Sequence, residues 1–391
     1  MTQDKSRDIL QFLRSAFREY YFRGFSKFEL PSMLQQREFG FTGFGSPGMK
    51  RHLSFGSAGE LQAYLVREVP SDIYCSNSCY LHPTQPMDQK GWISASLIFD
   101  IDGKDLNLPC VESHTYTHCT ACDTFQETPS GEKADQACVS CSGGRIEKVS
   151  IPCSKCIGGS LAHVRRLTDF LTGEFGFSED DIAVYFSGNN GFHVHLSGGQ
   201  DFETLDSRAR MEIAGYISAT GLMPEVLGVR KSKRDERGFI VRQSAPEMQY
   251  GWAARINALL KVVKASSKET THRITDLGGY EGLKTRVEEA ANKQRAIIDP
   301  QVTSDIHRIF RLPGSINSKS SLAKVRCDNL SDFDPFTKAC VIGDAKIGIQ
   351  VRAPVKLKLK GMSFKLGKEK AEVPAFAACY LICKGLATLE A

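Results

Sequence analysis

Two aspartates close an apolar run in Ile93-Ser-Ala-Ser-Leu-Ile-Phe-Asp-Ile-Asp102. Two residues apart on an extended strand, Asp100 and Asp102 leave the same face, close enough to share a hard divalent cation. Leu97, Ile98 and Phe99 just before them imply burial on both faces, where an unpaired carboxylate is costly and tends to take up a proton. Taken alone, D-x-D also fits a solvated strand end. A third acid, Asp299, closes another apolar run, Ile297-Ile-Asp299, and is likewise followed by basic residues. Three carboxylates holding Mg²⁺ or Mn²⁺ beside a phosphate pocket is the arrangement of nucleotidyl transfer. One ion lowers the pKa of the attacking 3′-hydroxyl and the other steadies the leaving pyrophosphate, so no side-chain general base is required.

A second group of residues suits the phosphates. Ser187-Gly-Asn-Asn-Gly-Phe-His193 sets two glycines and three short polar residues between the apolar run Ile182–Phe186 and an alternating run, Phe192, Val194, Leu196. Such a loop exposes backbone N–H groups as an anion nest, and the Ser187 hydroxyl adds a donor. His193 is placed to donate to a phosphate oxygen and to carry positive charge when one is bound, with His195 on the same strand face as its competitor. A tight hairpin with two ordinary polar-face histidines fits the same residues.

The cysteines point to metal. Seven of the thirteen fall between Cys110 and Cys156, in a stretch poor in large aliphatics, while the odd total argues against a disulfide framework. Cys138-x-x-Cys141 and Cys153-x-x-Cys156 have the spacing of a zinc ribbon, two knuckles completing a thiolate shell. Cys110, His114, Cys119 and Cys122 offer a second four-ligand set, with His118 as an alternative to His114. A competing arrangement joins Cys119 and Cys122 to one of the later C-x-x-C pairs. A closed thiolate site does no chemistry, so one or two structural Zn²⁺ are expected to serve folding and the grip on template or primer, aided by Arg145, Lys148 and Lys155. Cys75, Cys79, Cys327, Cys340, Cys379 and Cys383 read as small buried hydrophobes.

These groups need a scaffold, and the patterning supplies one. Ile9, Phe12, Leu13, Ala16, Phe17 and Tyr20 predict an opening helix with Ser6 as N-cap. Further helices are expected over 61–68 and 161–171, a buried strand over 182–186, and a helical stretch from Asp299 to Phe310 before Arg311-Leu-Pro-Gly-Ser315. Residues 201–294 read as a helical insertion broken by Arg230-Lys-Ser-Lys-Arg234. Val355–Lys360 alternates like a strand with one wet face, and a short apolar helix near Phe376–Leu386 is the expected dock for a partner. With 41% hydrophobic and 24% charged residues over 391 positions the chain is globular and long enough for more than one domain. No apolar run reaches membrane-spanning length and the start lacks a secretory core, so a cytoplasmic protein, at the nucleoid during replication, is expected. Lys+Arg exceed Asp+Glu by only 50 to 45, so a polyanion must be met by local clusters.

Arg37-Glu-Phe-Gly-Phe41, Lys90-Gly-Trp92, Leu97–Asp102, Ser187-Gly-x-x-Gly-x-His193, and Asp299 followed by Arg311–Ser315 stand in the order and approximate spacing of the archaeo-eukaryotic primases. Over roughly Tyr20 to Ser321 the chain resembles that family, and within it the catalytic small subunits of archaeal DNA primases. The resemblance implies an α+β fold: a mixed-sheet core with flanking helices, formed by 1–109, 157–200 and 295–350. A zinc module over 110–156, the insertion over 201–294, and a segment over 351–391 that completes the core or meets a partner would complete it. It implies that Asp100, Asp102 and Asp299 ligate the catalytic metals, that Ser187 and His193 bind the triphosphate, that Arg311, Ser315 and Lys319 add phosphate contacts, and that Arg37 and Lys90 lie at the site. It implies RNA primers made from NTPs on single-stranded DNA, and a heterodimer with a primase large subunit that holds the initiating nucleotide. Asn189 and Asn190 depart from the basic residues frequent in this loop, and Asn317 from a frequent histidine. Both departures remove positive charge, which either shifts triphosphate binding onto Arg311, Lys319, Lys90 and the metals or leaves nucleotide affinity modest. A primase-like repair or translesion polymerase fits the same residues, and so does a non-catalytic zinc-ribbon nucleic-acid-binding protein.

Overall fold

The computed structural model describes residues 2–127, 138, 140–141, 145–197 and 200–390; of the stretch expected to form the zinc module, 128–137, 139 and 142–144 lie outside them. The opening stripe folds as the helix Thr2–Arg23, burying Leu13, Phe17, Tyr20 and Tyr21. Ser6 is therefore inside the helix and caps nothing. Periodicity locates a buried face well, but polar residues extend its first turn freely.

The chain is α+β, but its site rests on two four-stranded sheets rather than on one mixed sheet. In one, Val325–Arg326, Ile182–Phe186, Gly191–Leu196 and Leu97–Asp102 lie side by side; in the other, Ile309–Arg311, Asp72–Ser76, Phe39–Thr42 and Met49–Leu53. Every pairing in both is antiparallel. Ile182–Leu196 folds back through a tight loop, which permits only an antiparallel partner, since parallel neighbours need a long crossover. Ile98 of the first sheet, Phe310 of the second and Val302 between them form a small apolar cluster that joins the two.

The expected strand over 93–102 is two strands, Trp92–Ala95 and Leu97–Asp102. Ser96 breaks it because its carbonyl accepts from Arg210 (3.2 Å) and Asn77 (3.3 Å), and so leaves the ladder. The helix expected from Asp299 to Phe310 stops at Ser304. Asp305 turns the chain by accepting from the His307 backbone at 2.9 Å, and Ile309–Arg311 then pairs with Asp72–Ser76.

Residues 201–294 are mostly helical, in Ser207–Ile217, Gly251–Leu260, Ser267–Asp276 and Gly279–Gln294, with the basic run opening on a small hairpin, Val229–Lys231 with Phe239–Val241. Their buried residues, among them Ala214, Ile217, Trp252 and Leu283, belong to the same continuous core as the sheets. The strand Val355–Leu359 alternates as expected. The helix Ala375–Cys383 is buried from Ala375 to Ile382, so it is core and offers no docking face. Among the described residues no helix is long and apolar enough to cross a membrane.

Candidate active site

The Leu97–Asp102 strand pairs with Gly191–Leu196 so that Asp100 faces His193 and Asp102 faces Gly191. Only glycine permits this last approach: a Cβ at Gly191 would lie 2.5 Å from the Ile101 carbonyl oxygen. Gly188, at φ +89°, closes the Ser187–Gly191 loop, whose Ser187 N–H donates to the Gly191 carbonyl at 2.9 Å. Between the sheets opens a cleft of about 260 Å³ lined by Asp100, Asp102, Ser187 and His193 from one side and by Arg308, Arg311 and Lys319 from the other. Asp299 sits at its edge, outside the lining. Its backbone N–H donates to the Asp100 carbonyl at 3.0 Å, and its carboxylate caps the helix Pro300–Ser304 by accepting from Gln301 N at 2.9 Å.

Charge is concentrated here. Burial, then Asp102 and Asp299, push the Asp100 carboxyl up to about 6. Asp102 is held by Lys104, Nζ to Oδ2 2.9 Å. A buried carboxylate burdened by two neighbouring acids is the donor set that a hard divalent cation relieves, so these residues fit Mg²⁺ or Mn²⁺. His193 Nε2 lies 3.6 Å from Asp100 Oδ1. Burial, and then Lys324, Arg311 and Arg308, lower its pKa well below the usual range, whereas the charge expected on this ring is one carried with a phosphate bound.

Of the phosphate-binding residues expected from the sequence, Ser187, His193, Arg311 and Lys319 line the cleft, while three do not. Ser315 is fully buried, its hydroxyl donating to the Leu312 carbonyl at 2.6 Å. Arg37 donates to the Asn77 and Ser32 carbonyls at 2.8 and 3.3 Å. Lys90, also buried, pairs with Glu38 at 3.0 Å and donates to the Pro83 carbonyl. Each satisfies a buried polar group and so holds the fold around the site. Arg311 is anchored by Asp72, 2.8 Å away, which also accepts from Ser318 N and Oγ at 3.0 and 2.7 Å and thereby fixes the turn after Arg311.

Sequence reasoning missed Asp72, Arg308, Lys324 and Lys384. None belongs to a spaced motif, and only the fold brings them in. Lys384, just past the Ala375–Cys383 helix, donates to Asn189 Oδ1 at 2.8 Å. The charge absent from the loop is thus supplied from the far end of the chain.

The metal-type cysteines follow the competing arrangement for Cys119 and Cys122, which join Cys138 and Cys141, rather than the two leading sets, and the remaining ligands are not spare but form a second group. Cys110, His114, Cys153 and Cys156 form one cluster, and Cys119, Cys122, Cys138 and Cys141 the other, each with its donor atoms within 4.8 Å of one another. Among the described residues these are the two groups of three or more His, Cys, Asp or Glu side chains whose ligand atoms all lie within 4.8 Å of one another; the carboxylates of Asp100, Asp102 and Asp299, as a set, stand farther apart than that. The strands Thr115–Cys119 and Ile146–Ser150 pair antiparallel, which carries Cys110 and His114 at one end of the ladder back to Cys153. Cys119, at the other end, is left with Cys122 and the later pair. Sulfur separations of 3.5 Å for Cys110 and Cys156, and 3.5 Å for Cys122 and Cys138, approach the edge of a tetrahedral thiolate shell, roughly 3.8 Å with Zn–S bonds of about 2.3 Å. His114 turns Nε2 to Cys156 at 3.3 Å and Nδ1 to Ser150 Oγ at 3.2 Å, the outer hydrogen bond that orients a metal-binding imidazole. Both sets fit Zn²⁺. Of the six scattered cysteines five are buried and Cys383 is half-buried.

The family described as DNA primase small subunit matches residues 148–328, the stretch that carries the loop, Asp299 and the Arg311 turn. Over its length the chain is 40% identical to the DNA primase small subunit PriS of Nitrosopumilus maritimus (strain SCM1), covering 97% of this chain and 98% of that protein. It is 40% identical to the protein of the same name from Cenarchaeum symbiosum (strain A), with 98% and 99% covered. Against that of Methanococcoides burtonii the identity is 30%, with 96% and 97% covered. The chain belongs to the DNA primase small-subunit family, an enzyme family of DNA-directed nucleotidyltransferases.

Proposed function

We propose that this chain is the catalytic small subunit of a DNA primase, starting short RNA primers de novo on single-stranded DNA. The observation that carries the reading is the meeting of the aspartate strand with the Ser187–Gly191 loop and His193 at one cleft, the Asp299 backbone bonded to Asp100 at its edge. Asp100, Asp102 and Asp299 would hold Mg²⁺ or Mn²⁺, which when bound activates the attacking 3′-hydroxyl and stabilises the leaving pyrophosphate. Ser187 and His193 donate to the triphosphate, and Arg308, Arg311 and Lys319 surround it with charge. Asp72 holds Arg311 in place through their ion pair. The core comprises 1–109, 157–200 and 295–350, and two Zn²⁺ fix the module between its parts. The relatives are named small subunits, which supports a large-subunit partner; that partner would supply the initiating-nucleotide site.

A gel assay with single-stranded DNA, labelled NTPs and Mg²⁺ or Mn²⁺, with and without the large subunit, tests this. Short products without an annealed oligonucleotide support it. Products only from annealed ends would make the chain a repair-type polymerase. Absence of incorporation in the parent, with template binding intact, would make it a zinc-bearing nucleic-acid-binding protein. Asp100→Ala should abolish synthesis and leave template binding.

A further inference from the structure

Lys324 lies beneath the cleft with no exposed surface. Its Nζ donates to the Arg311 carbonyl at 3.0 Å and lies 3.0 Å from each of His193 Nδ1 and His195 Nε2. Its backbone is equally fixed, donating to the Ser315 carbonyl at 2.9 Å and accepting from Gly314 N at 2.7 Å. Burial, and then Arg311, draw its pKa down to about 7, against the opposing pull of Asp100 and Glu29. A packed core would be served as well by Met or Leu, since a buried ammonium without a carboxylate partner is costly. What lysine adds is three donors aimed at two imidazoles and a main-chain oxygen.

An imidazole that accepts at one nitrogen carries its N–H on the other, so a donor set against one nitrogen decides which is which. We infer that Lys324 is a positioning residue of the nucleotide site: by donating to His193 Nδ1 it fixes that ring as the Nε2–H tautomer, a donor toward the triphosphate. Nε2 lies on the Asp100 side of the ring, and both residues line the cleft. The opposite tautomer would turn a lone pair toward the phosphate oxygens and repel them. His195 accepts through Nε2 and so carries its proton on Nδ1. Its ring lies nearly parallel to that of His193, at 14°, so one lysine sets both. The inference rests on the cleft being the site that takes a nucleoside triphosphate.

The test is the tautomer itself, read by long-range proton–nitrogen correlation on the full zinc-loaded chain labelled with ¹⁵N-histidine, with His193→Asn and His195→Asn assigning the signals. The parent should show His193 as Nε2–H and His195 as Nδ1–H, and Lys324→Met should give His193 mixed tautomers. In steady-state incorporation, Lys324→Met should raise KM for the NTP about tenfold, with kcat changed much less, as the loss of one hydrogen bond to a charged group implies. Lys324→Gln, which keeps a donor without the charge, should recover part of that loss. A parent that incorporates nucleotides with His193 as Nδ1–H overturns the inference alone, as does an unchanged KM in a folded Lys324→Met. Should that variant not fold, the parent's tautomer still decides. A parent with the stated tautomers that incorporates nothing under any condition overturns instead the assignment of the cleft, and with it the role given to Lys324.

Discussion

Asp100 shows how a carboxylate proposed to hold a metal ion works against its own fold. Its pKa is raised to about 6, so the folded state binds that proton more tightly than the unfolded chain, and ionisation costs stability. The penalty is absent at acid pH and complete above the folded value. In buffer without added Mg²⁺ or Mn²⁺, Asp100→Asn should therefore be more stable than the parent by about 2 kcal/mol at pH 7.5. The gain should shrink as pH falls through 6 and vanish near 4, followed by urea unfolding at each pH. Incorporation should be lost at all of them. Lys384 acts through charge: burial pulls its pKa down to about 8, and it remains the cation nearest the Asn189 side chain. Lys384→Met should raise KM for the NTP by about threefold to tenfold, measured against NTP concentration, whereas an unchanged KM would return the phosphate burden to Arg308, Arg311 and Lys319.

At the scale of elements, the metal clusters and a buried arginine decide where the aspartates stand. Cys153 and Cys156 open the helix Ser154–Gly173, whose Leu161, Val164 and Leu167 pack into the core, so loss of a zinc ion held there would reach the sheet that carries Asp100 and Asp102. The cluster of Cys119, Cys122, Cys138 and Cys141 lies at the far end of a three-stranded sheet. Elemental analysis should find two zinc ions per chain. Cys153→Ala should lower the melting temperature well beyond Cys122→Ala, with each variant retaining one ion. Arg210 donates to the carbonyls of Ala95 (2.6 Å), Ser96 (3.2 Å) and Leu205 (2.9 Å), which ties the 201–294 segment to the break before the aspartate strand. Arg210→Met removes the guanidinium donor from all three oxygens, leaving Ser96 only its bond from Asn77, and should cost about 3 kcal/mol in denaturant unfolding, with incorporation falling as the strand shifts.

For the molecule as a whole, one core runs from Leu13 to Ala387 and includes the helical segment. Continuity of packing makes separate unfolding of 201–294 costly. The two tryptophans report on different parts: Trp92, in the strand Trp92–Ala95, hydrogen-bonds to Ser78, and Trp252 lies buried in the helix Gly251–Leu260. Single-tryptophan variants, Trp92→Phe and Trp252→Phe, should give coincident denaturation curves by fluorescence. Transitions that separate would make the segment an autonomous insertion.

Local chemistry was legible before folding. The aspartate pair, the glycine loop, the third acid and the C-x-x-C pairs announce themselves because strand period, glycine freedom and ligand spacing act over a few residues. The same is true of the helix stripes around Phe17 and Leu167. The partners of those groups were not legible. Which cysteine pair joins which depends on an antiparallel ladder. Whether Arg37, Lys90 or Ser315 meets a ligand or a carbonyl depends on what packs above it, and Lys324 and Lys384 enter only because the chain returns to the site long after its motifs have passed. Short-range sterics and spacing are written in sequence, whereas burial and the pairing of polar groups across distant segments exist only once the chain has closed on itself.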